Sequence, residues 1–287
     1  MSTHENKIWT VVDIIRWGTE YFGGKGVDSP RLTIELLLSE VLHCTRLQLY
    51  LMHDRPLTQA ELSFLRETCT RRAKREPLQY ILGKTGFYGL DFDLSPDVLI
   101  PRPETETLID TVLQYCSTIS KPLKIIDIGT GSGCIAITLA HHLKHRSDIS
   151  ITAIDISEEA LNMAKRNADK YSVQIDFQKL DILSYTGSFD GIIISNPPYI
   201  GEKDFNQLEP ELYFEPKIAL TDHANGLLFY KKIASILATP GNVAQAIFLE
   251  VGHGQMSDVD NLFRPLCKTI NKVHDLSGIE RVLWGII

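Results

Sequence analysis

Apolar and polar positions recur along this chain with two different periods, and the change from one to the other divides it. In residues 8–22, IWTVVDIIRWGTEYF, apolar side chains return every three or four positions and the run stops at Gly23-Gly24. That spacing puts them on one face of an α-helix. Ser29-Pro30 then reads as an N-cap with proline in the first turn, opening a second helix through RLTIELLLSEVLHC. RLQLYLMHD and a longer helix from Thr58 to about Arg75 complete a small helical bundle over residues 1–77. Residues 78–103 change character. Glycines at 83, 86 and 89, the alternation in LDFDL and prolines at 96, 101 and 103 predict a linker that carries a hairpin.

From 104 to 287 helical spacing alternates with short runs rich in isoleucine and valine. Helices are expected at 104–117, 133–144, 157–170, near 225–238 and near 255–264. Strands are expected at 123–128, 150–154, 173–178 and 190–195, in AIFLEVG, and in two stretches around Ser277-Gly278. Such alternation implies right-handed crossovers and an α/β, doubly wound, mostly parallel sheet of seven strands. A tight turn at Ser277-Gly278 makes the last pair antiparallel.

Composition narrows the class. Apolar residues make up 44% of the chain and charged ones 23%, as in an ordinary soluble protein. No apolar run reaches the ~18 residues of a membrane helix, and Met1 to Lys7 lack the apolar core of a signal peptide. A cytoplasmic protein with no membrane partner is therefore expected. The cysteines at 44, 69, 116, 134 and 267 form no Cys-x-x-Cys pair, which predicts reduced thiols. His141 and His145 in HHLKH lack the carboxylate of a metalloprotease helix, so no metal site is expected.

The net charge is −7, and residues 1–80 hold 11 Lys and Arg against 10 Asp and Glu, which leaves −8 on the remainder. This balance disfavours a nucleic-acid backbone, whose binding rests on cationic side chains. The basic cluster Arg71-Arg72-Ala73-Lys74-Arg75 falls at a helix end. There it either complements the helix dipole or offers a docking patch.

Chemistry concentrates at the strand ends. IIDIGTGSG places Gly129, Gly131 and Gly133, with Thr130 and Ser132 between them, directly after a strand and before a helix. Glycines there let the chain turn sharply and let a ligand lie against bare backbone, although the spacing is not that of the dinucleotide fingerprint. The next strand ends at Asp155, which can accept both hydroxyls of a ribose or cap the helix opened by DISEEA. The glycine loop upstream favours ribose. Asp181 follows the third strand and Asn196 the fourth, so polar groups collect on the carboxyl edge, where open parallel sheets bind ligands. Asp127 flanks the loop and no Lys or Arg does. An acidic edge suits a cationic nucleoside without phosphate, and S-adenosylmethionine answers that description.

FDGIIISNPPYI completes the picture. Two prolines end the strand abruptly and fix the backbone at Asn196-Pro197-Pro198-Tyr199. The Asn196 side-chain oxygen and the Pro197 carbonyl can then accept both hydrogens of a planar –NH2, with Tyr199 as a lid over the flat group. These residues are the candidates for substrate binding and catalysis by positioning.

With these motifs in this order, the chain resembles class I S-adenosylmethionine-dependent methyltransferases that act on planar nitrogens. Adenine-amino DNA methyltransferases and protein-glutamine methyltransferases share the tetrapeptide. EPLQYILGKTGFYGLDFDLSPDVLIPRPETE at 76–106, NPPYI, EPKIAL at 215–220 and DLSGIER at 275–281 are similar to the bacterial release-factor glutamine methyltransferases of the HemK/PrmC type. The resemblance covers nearly the whole chain. It implies methylation of the glutamine in the Gly-Gly-Gln motif of peptide-chain release factors, with S-adenosylhomocysteine as product. It further implies that Gly129 to Gly133 wrap the methionine part of the cofactor, Asp155 binds the ribose, and Asp181 and Ile182 hold the adenine. Asn196 to Tyr199 would hold the amide, with Asn196 also near the donor, and the helical domain would dock the release factor. Two places depart from the family. Ile182 stands where relatives often carry an aromatic ring, and Thr221 to Gly226 replace a Gly-Gly-x-Asp-Gly segment. The other readings are a DNA adenine methyltransferase, which needs a basic face, and a non-catalytic nucleoside-binding adaptor.

Overall fold

The computed structural model describes residues 8–287, so the Met1 to Lys7 stretch considered above lies outside the described residues. The chain folds into two compact units. One comprises residues up to Gly83 together with Pro210–Phe214; the other comprises Lys84–Glu209 and Glu215–Ile287.

The first unit holds α1 (Val11–Gly23), α2 (Pro30–Val41), α3 (Arg46–Leu51), α4 (Gln59–Ala73) and α5 (Leu78–Leu82). Their apolar faces meet around Phe22, Ile34, Leu38 and Leu49, all fully buried. Capping boxes start three of them: Thr10 with Asp13, Thr45 with Gln48, and Thr58 with Glu61. Ser29 precedes α2 but is no side-chain cap. Its φ of 48° is left-handed, whereas a capping hydroxyl reaches the first-turn amides from extended backbone. Pro30, whose missing N–H costs nothing in a first turn, starts the helix instead. Thr58→Ala should therefore lower stability by about 1 kcal/mol in a urea melt, and Ser29→Ala by much less.

The three arginines of the basic cluster are spent on ion pairs inside this unit. Arg71 pairs with Glu76, while Arg72 at 3.0 Å and Arg75 at 2.6 Å share Glu211 of the Pro210–Phe214 segment. Opposite charge draws that distant segment against the end of α4.

The second unit begins with the antiparallel hairpin β1 (Lys84–Phe87) and β2 (Leu90–Asp93). The stretch read as a linker is thus divided, with α5 in the first unit and the hairpin in the second. Phe87 and Phe92 bury themselves in the second unit's core, which explains the division. Then follow α6 (Glu106–Thr118), β3 (Leu123–Ile128), α7 (Cys134–His142), β4 (Ile149–Asp155), α8 (Glu158–Tyr171), β5 (Asp176–Lys179) and β6 (Asp190–Ser195). After β6 come the short helices α9 (Glu202–Phe205) and α10 (Lys217–Leu220), then α11 (Leu228–Leu237), β7 (Val243–Glu250), α12 (Met256–Phe263), β8 (Thr269–His274) and β9 (Glu280–Ile286).

The seven-stranded sheet has the order β5-β4-β3-β6-β7-β9-β8. Its first five strands run parallel, and β9 lies antiparallel between β7 and β8. Asp275 makes the last turn tight by accepting the amides of Ser277 at 2.9 Å and Ile279 at 3.0 Å. Central strands are covered on both faces, so they read as unbroken apolar runs. Ile192, Ile194 and Phe248 pack on the α6 and α7 side, while Ile193, Ile247 and Leu249 pack beneath α11 and α12. The order reverses at β3, whose neighbours are β4 on one side and β6 on the other. Ligands bind outside the carboxyl ends of strands at such a switch point. Among the described residues no helix is long and apolar enough to cross a membrane.

Candidate active site

One cavity opens at that switch point, and every residue lining it belongs to the second unit. Its floor is the loop after β3. Gly129 and Thr130 donate their amides to the Ile154 carbonyl at 2.9 and 3.0 Å, which bends the chain away from the strand at once. Gly129, Gly131 and Gly133 have φ of +75°, +56° and +83°, values that side chains resist. The three serve different ends. A Cβ on Gly129 or Gly131 would meet nothing within 4 Å, and both residues face the cavity, so bare backbone is offered to a ligand. A Cβ on Gly133 would strike Ile137 Cδ1 at 2.6 Å and Ala164 at 3.0 Å, so this glycine lets α7 pack against α8.

Beneath the loop Asp127 is wholly buried and accepts the Thr130 hydroxyl at 2.7 Å. Burial pushes its carboxyl up to about 7, although the Thr130 hydrogen bond works against this. Thr130, Ser132 and Gly133 do not line the cavity. They brace the loop from below.

Asp155 closes β4 with both oxygens engaged by backbone. Oδ2 accepts Gly131 N at 2.9 Å and Oδ1 accepts Ser157 N at 2.9 Å. The helix cap is Ser157, whose Oγ accepts the Ala160 amide at 3.1 Å, so Asp155 is left facing the cavity. Burial raises its pKa, and the N–H donors of Ser157 and Gly131 oppose the rise. Asp181 and Ile182 line the wall beyond it, with Asp181 Oδ1 accepting Leu183 N at 2.9 Å.

The opposite wall is the proline corner. Ser195, the last residue of β6, ties the strand end to β3 by donating its hydroxyl to the Ile128 carbonyl at 2.8 Å. Asn196, Pro197 and Pro198 then line the same cavity as Asp155. Tyr199 does not. Its ring packs against Gly252, its carbonyl accepts Gln255 Nε2 at 2.8 Å, and its hydroxyl lies 3.5 Å from Glu250. The expected lid is in this structure a buttress behind the corner, with burial raising the phenol pKa. The loop from Thr221 to Gly226 adds a third wall. Asp222 accepts the amides of Ala224 at 2.8 Å and Leu228 at 2.9 Å, which gives this departing segment a definite turn. Asp97, Asp155, Asp181 and Asp222 all face the cavity, and among the described residues no Lys or Arg lines it. The site is acidic, as a cationic ligand requires.

Comparison with known proteins decides the lineage. Residues 13–83 match the family described as PrmC N-terminal domain, and residues 105–221 match the methyltransferase small domain. A release factor glutamine methyltransferase of Geobacter sulfurreducens is 38% identical, over 99% of this chain and 99% of its own. Those of Chlorobaculum tepidum, 38% identical over 97% and 98%, and Bacillus subtilis, 34% identical over 97% and 98%, match as fully. The chain belongs to the release factor glutamine methyltransferase family. The catalytic domain of human METTL16, solved with an RNA hairpin, shares the fold at a TM-score of 0.54 and 15% identity, over 81% of this chain and 84% of that one.

The segments that carry the likeness to the release factor glutamine methyltransferases meet around the site. Glu215 of EPKIAL accepts the Ile100 amide at 3.1 Å and pairs with Arg102 of IPRPETE. Arg281 of DLSGIER pairs with Asp275 at 3.2 Å and faces Glu250. Sequence reasoning missed several supports of this kind. Asn167, wholly buried in α8, donates to the Ser132 carbonyl at 2.9 Å and accepts the Asp93 amide at 2.8 Å, joining glycine loop to hairpin. Thr105 and Glu250 form a buried pair behind Asn196. An acid ending a strand on the ligand edge was the available clue to Glu250; Asn167 and Thr105 gave none.

Proposed function

We propose that this protein methylates the side-chain amide nitrogen of the glutamine in the Gly-Gly-Gln motif of peptide-chain release factors, using S-adenosylmethionine, in the cytoplasm. The supporting observation is that Asn196 and Pro197 open onto the same acidic cavity as Asp155 and the bare backbone of Gly129 and Gly131. The cradle fits the cofactor. Asp155 has lone pairs left for ribose hydroxyls, Asp181 and Ile182 flank the adenine side, and the glycines accept the methionine portion. When bound, the cofactor supplies a methyl already made electrophilic by its sulfonium.

The chain contributes position and field. Asn196 Oδ1 and the Pro197 carbonyl accept the two amide hydrogens and aim the nitrogen at the methyl. As the N–C bond forms, positive charge gathers on the nitrogen, and both acceptors stabilise it more than they do the neutral amide. The alkylated amide is a strong acid whose surplus proton passes to solvent without a dedicated base. The helical unit, which matches the PrmC N-terminal family, docks the release factor in this reading.

Labelled cofactor tests the substrate. Incubation with unmodified release factor should place label in protein, and incubation with adenine-bearing duplex DNA should place none. Label in DNA alone would establish the nucleic-acid enzyme, and bound cofactor with no transfer to either would favour the adaptor.

A further inference from the structure

Behind the proline corner lies a buried polar relay. Asn196 Nδ2 donates to Thr105 Oγ1 at 3.2 Å, and the Thr105 hydroxyl donates to Glu250 Oε2 at 2.6 Å. Thr105 and Glu250 are 2% and 1% exposed, so water does not compete for these bonds. A threonine hydroxyl has one hydrogen and two lone pairs. Once a carboxylate takes that hydrogen, Thr105 presents only lone pairs to Asn196, and the amide must turn its NH2 inward. Its oxygen is then the atom left for the cavity. The reverse rotamer would set an NH2 against the substrate NH2, donor against donor.

Resting on the functional reading above, we infer that Thr105 and Glu250 are positioning residues that fix which end of the Asn196 amide meets the substrate nitrogen. Neither touches the reacting atoms. Their effect passes through the orientation of Asn196.

The relay is sensitive to protonation. Burial, the largest cause, lifts the Glu250 carboxyl to about 7; the Thr105 hydrogen bond and Arg281 pull it down, and Glu104 pushes it up. Tyr199, Tyr230 and Cys134 are further titratable groups around it; the Tyr230 hydroxyl donates to the Glu250 carbonyl at 2.8 Å. Below that pKa the neutral acid can donate its own proton to Thr105, freeing the hydroxyl hydrogen to select the wrong end of Asn196. Transfer should therefore rise with pH through about 7 and level off above it. Asp127 titrates in the same range, so the variant at 250 is the control.

The test measures kcat, and KM for the cofactor, on a release-factor Gly-Gly-Gln peptide from pH 5.5 to 8.5. Thr105→Val, nearly isosteric but without the hydroxyl, should lower kcat roughly 10- to 100-fold and leave the cofactor KM within about threefold. Thr105→Ser should recover most of it. Glu250→Gln should lower kcat at high pH and abolish the inflection near 7. Wild-type turnover in Thr105→Val, equal losses in Thr105→Val and Thr105→Ser, or an unchanged inflection in Glu250→Gln would overturn the relay. Should Thr105→Val fail to fold, the pH profile of Glu250→Gln decides. If the wild-type protein itself leaves the peptide unmodified, it is the function that falls, and not the relay alone.

Discussion

Asn196→Ala should cost at least ~10²-fold in kcat while cofactor affinity stays within a few-fold of the wild type. The size follows from what the side chain does. Asn196 lines the cavity at the end of β6, on a backbone stiffened by two prolines, and its amide is held by the Thr105 hydroxyl at 3.2 Å. On the proposed mechanism its removal deletes one of two acceptors for the substrate nitrogen, and a flat amide held by a single bond rotates about it. Most encounters then present the wrong geometry. The proposed cofactor cradle, lined by Gly129, Gly131, Asp155, Asp181 and Ile182, is left intact. Calorimetric titration of the cofactor beside single-turnover transfer separates the two. Equal turnover in the variant would remove Asn196 from the chemistry.

Asp155→Ala should behave in the opposite way, weakening cofactor binding by roughly 10- to 100-fold while kcat at saturating cofactor changes little. In this structure its carboxylate holds the glycine loop through Gly131 N and the start of α8 through Ser157 N, each at 2.9 Å, and it is the acceptor we propose for the ribose. Alanine loses both. Asp155→Asn keeps one acceptor but turns an NH2 toward one of these backbone donors, so it should recover only part of the loss. Cofactor titration checks all three proteins, and an unchanged Kd in Asp155→Ala would place the ribose elsewhere.

How far the sequence reveals this site depends on how local each feature is. The strand delivering Asn196 is legible because an unbroken apolar run means burial on both faces, and two prolines can only end it. The glycine loop and Asp155 are legible for the same reason, since strand, turn and helix follow within a few residues. The supports are not. Thr105 meets Glu250 across 145 positions, and in PRPETE its hydroxyl reads as one more polar group at a helix start. Four-residue helices such as Glu202–Phe205 and Lys217–Leu220 are too short to show a period. An aromatic beside a planar ligand suggests a stacking lid at Tyr199; its actual place depends on the room left by Gly252, far along the chain. Ser29 shows the limit within a single turn, where residue type suggests a cap and the backbone angle denies it.

The central claim is that a rigid corner presents two acceptors to a flat –NH2 beside a methyl donor. Fragment-mass analysis of a Gly-Gly-Gln release-factor peptide, after reaction with S-adenosylmethionine, tests it most directly. A single added methyl on the glutamine side-chain nitrogen is the predicted result. An unmodified glutamine from protein that binds the cofactor, or a methyl placed on any other residue, would contradict it.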